Sequence, residues 1–147
     1  VRTELTRQLK GDEGVKAHAY QDHLGFWTIG VGRLVDQRKP GSGLRDHEID
    51  YLLRNDIDDR IEQLTRRLPW FVHLDPARQG VLLNMSFQLG VEGLLGFKNT
   101  LRLVEQGDYA QAADNMLLSK WASQTPERAK RMAEQMRSGQ WQYTQGT

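Results

Sequence analysis

The 147-residue chain contains no cysteine, which excludes disulfide frameworks, thiolate nucleophiles and zinc sites built on Cys pairs. No apolar run approaches membrane-spanning length, and the charged opening "VRTELTRQLKGDEG" reads as neither signal peptide nor anchor. Stable membrane insertion is therefore not expected. An excess of one charge is also missing: the formal net charge is +1, which argues against general nucleic-acid binding but permits a local basic face. His18, His23, His47 and His73 do not fall at a metal-ligand spacing, so neither a metal nor another cofactor is expected. Internal repeats and low-complexity segments are absent too.

What is present is a globular composition, 38% apolar and 27% charged, in a chain the size of one domain. That length can bury a core without covalent staples. The Val at position 1 predicts a processed chain or a domain cut from something longer.

Leu5 and Leu9 stand one helical turn apart before Gly11 and Gly14, which predicts a short opening helix over 3–13. From Ala17 to Val35 the texture changes to aromatic and β-branched residues between glycines, the pattern of a small twisted sheet. "DQRKPGSG" reads as a loop and a lobe boundary. Ile49, Leu52, Leu53, Ile57, Ile61, Leu64 and Leu68 then recur at helical spacing up to Pro69. Asp75 before Pro76 is an N-cap and first-turn pair, and shorter helices follow to Gly139. The expected fold class is α+β, predominantly α. The chain is expected to be one domain, 1–147, with a small N-terminal sheet lobe over about 12–44. A linking helix over about 45–68 would join it to a helical lobe over about 69–147, on which the N-terminal helix packs.

Within "DEGVKAHAYQDHLGFWTIGVGR", Glu13 ends a helix, Asp22 enters a turn and Thr28 lies on a following strand. A hairpin folded back on the helix end would aim all three into one cleft. Two carboxyls and a hydroxyl suit glycoside hydrolysis, one acid protonating the leaving oxygen and the other carboxylate activating a water. Acids at helix ends and in turns also serve purely local hydrogen bonding, so residue type alone does not choose.

The spacing adds a resemblance. Glu-Gly, eight residues to Asp, then five to Thr within "TIGVG" closely resembles the start of the T-even phage lysozymes, glycoside hydrolase family 24. "LNMSFQLG", "GFKNTLRLV", "AADNMLLSKW", "QTPERAKR" and "SGQW" are similar to further family segments in family order. Two departures stand out. The segment after Leu34 is shorter than in the T-even enzyme, and Arg33 stands where that enzyme has His.

The resemblance implies a lysozyme-like fold and a muramidase that cleaves the β-1,4 bond between N-acetylmuramic acid and N-acetylglucosamine in bacterial peptidoglycan, with inversion expected. It implies Glu13 as general acid and Asp22 with Thr28 as holders of the attacking water. Arg128 matches a family arginine that pairs with the catalytic glutamate and reads as a supporting partner. Leu34, Phe87, Gln88, Thr100 and Asn115 match positions lining the sugar cleft. Leu34 and Phe87 also fit core stripes, whereas Asn115 in an otherwise apolar helix calls for a polar partner. The implied setting is a phage endolysin or virion-associated lysozyme, made in the host cytoplasm and acting on the periplasmic wall through a pore or from a particle. A monomer is expected. Two alternatives remain open from the residues: a lytic transglycosylase, which needs no water-holding carboxylate, and a non-catalytic wall-binding domain.

Overall fold

The computed structural model describes the backbone of residues 1–14, 16–21, 27–30, 33–34 and 45–144, and the side chains of 1–14 and 45–144. Its contacts divide the chain into two units, one built on Arg2–Asp58 and the other on Asp59–Tyr143.

In the first unit, α1 (Arg2–Glu13) buries Leu5, Gln8 and Leu9 and leaves most of its other side chains at least partly exposed. Gly11 does not break it. The helix ends where the Gly14 N–H donates to the Lys10 carbonyl at 3.1 Å and Gly14 turns to φ 73°, a conformation that favours glycine. The long α2 (Asp46–Arg67) starts here. Just before it the Arg45 N–H donates to the Glu48 carboxylate at 3.0 Å. Ile49, Leu53 and Ile57, each one turn from the next, are buried. Ion pairs join Arg2 to Asp58 and Lys10 to Asp50. Position numbers rise along one helix as they fall along the other, so the two run antiparallel.

Between them lie three short antiparallel strands in the order β1-β2-β3: β1 (Lys16–Gln21), β2 (Trp27–Gly30) and β3 (Arg33–Leu34). Tyr20 pairs with Thr28 and Thr28 with Leu34, and the register shifts between Lys16 and Tyr20.

This corrects the expected fold class. The described residues are overwhelmingly helical, and they do not form the α+β arrangement with an N-terminal sheet lobe. Strands of six, four and two residues are a ribbon on a helical protein. A two-residue edge strand offers one side chain to each face, too little to close a sheet core. The unit holding the ribbon is built on α1 and the start of α2.

The second unit continues α2 into a 3-10 turn (Pro69–His73), then α3 (Pro76–Leu95), α4 (Lys98–Glu105), α5 (Tyr109–Leu117), α6 (Lys120–Gln124) and α7 (Pro126–Ser138). Side-chain caps start three of these helices: Asp75, Asp108 and Ser119 accept from the N–H groups of Arg78, Gln111 and Ala122. Leu64, Phe71, Leu82, Leu83, Met85, Leu94, Met116, Met132 and Met136 are fully or almost fully buried. Each such side chain stabilises the fold by about 1.5–3 kcal/mol. The α7 helix ends at Gly139, φ 71°, and the chain then lays Trp141 against Gly80.

Candidate active site

Glu13 is the last residue of α1 and is partly exposed, immediately before the reversal at Gly14. Asp22 lies outside the described residues. Thr28 sits on the middle strand, between Tyr20 on β1 and Leu34 on β3. Thr28 and Leu34 are thus brought together as a backbone pair.

The remaining predicted residues belong to the second unit, and the structure brings two of them into direct contact. Thr100, on α4 and 2% exposed, donates its hydroxyl to Asn115 Oδ1 on α5 at 2.6 Å. The polar partner that Asn115 called for is therefore another predicted residue. The bond fixes the amide, leaving its NH2 edge oriented as a donor. Gln88, on α3, accepts from Trp121 Nε1 at 2.8 Å, and Trp121 meets Phe97 edge-on at 5.9 Å. The Gln88 amide is likewise aimed by a buried aromatic. Phe87, beside it, is partly exposed with the Arg60 guanidinium 4.9 Å from its ring centre.

Arg128, near the start of α7, donates from Nε to Asn84 Oδ1 at 2.9 Å and from Nη2 to the Asn84 carbonyl at 3.5 Å. Asn84 is fully buried in α3. It is a residue the sequence reading passed over. The signal was there: an amide inside the apolar stripe Val81, Leu82, Met85 must find a partner, by the reasoning that singled out Asn115. Gln135 is a second such residue, buried in α7, donating to the Ala77 carbonyl at 2.7 Å and accepting from the Gln142 N–H at 3.0 Å. Together these bonds tie α3, α7 and the C-terminal segment to one another.

Among the described residues no three His, Asp or Glu side chains converge as metal ligands. A recess beside His47, Glu48, Tyr51 and Leu52 on α2 contains none of the predicted site residues.

The described site residues are thus a partly exposed acid at a helix end, a threonine on a short ribbon, and hydrogen-bonded amides on a helical scaffold. Comparison with known proteins gives the family. The family model for phage lysozyme matches residues 10–143, so the chain belongs to the phage lysozyme family. It is 30% identical to "Probable T4-type lysozyme 1" of Dictyostelium discoideum, over 93% of this chain and 95% of that protein. It is 33% identical to the "Endolysin" of Salmonella phage P22, over 84% of each. The "Pre-baseplate central spike protein Gp5" of Enterobacteria phage T4 is 28% identical over 87% of this chain and 26% of its own length. The chain is accordingly a peptidoglycan hydrolase, a glycosidase of the muramidase class that acts on the cell wall.

Proposed function

We propose that the chain works as one lysozyme domain and opens the muramic acid–glucosamine bond in a single inverting displacement. Protonated Glu13 gives its proton to the glycosidic oxygen as the bond from the anomeric carbon to that oxygen breaks. Asp22, with the Thr28 hydroxyl, holds a water on the opposite face and takes its proton as the water oxygen bonds to the anomeric carbon. One proton is given and one taken, and solvent exchange resets the pair. An inverting pair needs about 6.5–9.5 Å between carboxyls to admit the water.

The observation that carries this reading is the placement of Glu13. It closes α1, remains partly exposed, and is followed at once by the Gly14 reversal into a strand whose partner carries Thr28 at its middle. Leu34, Phe87, Gln88, Thr100 and Asn115 are read as sugar contacts, and Arg128 as a support for the acid. The Thr100–Asn115 and Trp121–Gln88 bonds support that assignment, because a site for acetylated sugars needs amides fixed in advance. The enzyme is further read as a monomer that binds neither nucleic acid nor membrane stably. It would be made in the host cytoplasm and reach the wall through a pore or on a virion; relatives named as an endolysin and as a spike protein support either route.

The test is digestion of purified peptidoglycan by the wild type and by Glu13→Gln, with soluble fragments identified by mass spectrometry. Reducing muramic acid ends, absent with the variant, are expected. Anhydro ends, or reducing ends produced equally by the variant, would sink the assignment of Glu13 and the water.

A further inference from the structure

The α3 helix is interrupted just after Phe87 and Gln88, the residues read as sugar contacts. Gly90 has φ 78° and ψ 162°, so the helical course stops there and resumes beyond it. Phe87 and Gln88 occupy the last turn before the break. The end of a helical run leaves carbonyls without intrahelical donors. Side chains in that turn also lose the regular neighbours one turn onward. Gln88 is held from outside by Trp121. For Phe87 the corresponding hold comes from α2.

Arg60 stands there with its guanidinium 4.9 Å from the Phe87 ring centre, and its Nη1 donates to the carbonyl of Ser86. One planar cation thus grips both the backbone just before Phe87 and the ring itself. The Ser86 side chain is fully buried, its hydroxyl donating to the Leu83 carbonyl at 2.7 Å. Ser86 therefore cannot move to accommodate a shifted neighbour. A positive charge at the C-terminal end of a helical run is also favoured by the helix dipole. Lysine would supply the charge and a donor, but no plane to lie over a ring while pointing a donor at a carbonyl.

We propose that Arg60 is a positioning residue for the glycan cleft: it fixes the Phe87 ring at the break in α3, so that the ring and Gln88 are in place before the sugar arrives. The inference rests on the reading of Phe87 as a sugar contact. Its contribution is to ground-state binding, because the ordering of the ring is done in the free enzyme and serves substrate and transition state alike.

The experiment measures kcat and KM on soluble peptidoglycan glycan strands for the wild type, Arg60→Met, Arg60→Lys, Phe87→Leu and the Arg60→Met/Phe87→Leu double variant, with melting temperatures for all. Arg60→Met is expected to raise KM by roughly threefold to tenfold, the range of a partly buried cation–ring contact, with kcat within about twofold of wild type by the same uniform-binding argument. Arg60→Lys should recover the melting temperature more fully than it recovers KM. In the Phe87→Leu background the Arg60→Met effect on KM should disappear. If the two effects on KM multiply instead, Arg60 does not act through Phe87 and the inference falls alone. If Phe87→Leu leaves KM unchanged, the sugar-contact reading falls and the inference with it. A KM change in Arg60→Met that follows melting temperature equally in both substitutions would reduce Arg60 to a structural role.

Discussion

The two contact units show different kinds of tie between their helices. In the unit of Asp59–Tyr143, polar groups are paired inside the fold: Thr100 to Asn115, Arg128 to Asn84, Gln135 to the Ala77 carbonyl. In the unit of Arg2–Asp58, ion pairs at the surface join the two helices, Arg2 to Asp58 and Lys10 to Asp50, with side chains between a third and somewhat over half exposed. Buried hydrogen bonds are costly to break and indifferent to salt, whereas exposed ion pairs add little and are screened. Glu13, the assigned acid, closes α1 in the unit with the second kind of tie. Most of the residues assigned to holding sugar lie in the unit with the first.

The largest effect should therefore separate chemistry from folding. Glu13→Gln is expected to lower kcat by about 10²–10⁴-fold, the range for loss of a general acid. The melting temperature should stay close to wild type, since Glu13 is partly exposed at a helix end. A large fall in stability would show that the acid is also part of the scaffold, and the contrast between the units would be weaker than drawn.

Next in size is a substitution in the rigid unit. A Cβ built on Gly80 would lie 2.3 Å from the Trp141 ring, closer than packed atoms approach. Gly80→Ala is expected to destabilise by about 1–3 kcal/mol, the usual cost of overpacking, as measured by denaturant unfolding. Trp141→Leu should relieve part of that cost in the double variant, a coupling expected of neighbours. Additive effects would mean that Trp141 does not rest on Gly80 in solution.

Smaller again is the Thr100–Asn115 bond. Thr100→Val keeps the side-chain shape and removes the donor, which should cost about 0.5–1.5 kcal/mol, the net value of a typical hydrogen bond. It should also weaken glycan binding, because Asn115 would lose the partner that aims it. Unchanged KM together with the stability loss would keep Asn115 as a packing residue only.

How far all this was legible in the sequence follows from the same contrast. Ile49, Leu53 and Ile57 are buried where their helical spacing placed them, and Asp75, Pro76 and Asp108 open α3 and α5 as cap chemistry requires. These features are local, and local physics writes them into the sequence. The sheet lobe was misjudged because β-branched and aromatic residues between glycines indicate strand propensity but not strand length. Asn84 could have been found from its apolar stripe, but its partner Arg128 and the Arg60 partner Ser86 lie 44 and 26 positions away and no spacing announces them. Position 88 was reached only through a family segment; its bond to Trp121, 33 positions on, is not a property of any spacing. At Gly90 a glycine interrupts α3, and the helix resumes beyond it, which no spacing in the sequence announces.

The smallest effect tests whether exposed pairs behave alike wherever they occur, since the second unit has exposed pairs of its own. Arg67 donates to Glu92 at 2.7 Å, with both side chains at least half exposed. That hydrogen bond, and then the guanidinium charge, hold the Glu92 carboxyl below its ordinary value. A carboxyl lowered in the folded state adds stability above the range where the unfolded chain titrates, and loses it as pH falls through the folded-state value. Wild type should thus be marginally more stable than Glu92→Gln at neutral pH, and the difference should vanish in acid below the ordinary carboxylate range. Added salt should shrink it at neutral pH. If the difference persisted in acid, it would come from side-chain packing, which does not titrate. Exposed ion pairs could then no longer be treated as one class across the two units, and the weak, salt-sensitive hold inferred for the α1–α2 pairs would have to be measured on Arg2 and Lys10 themselves.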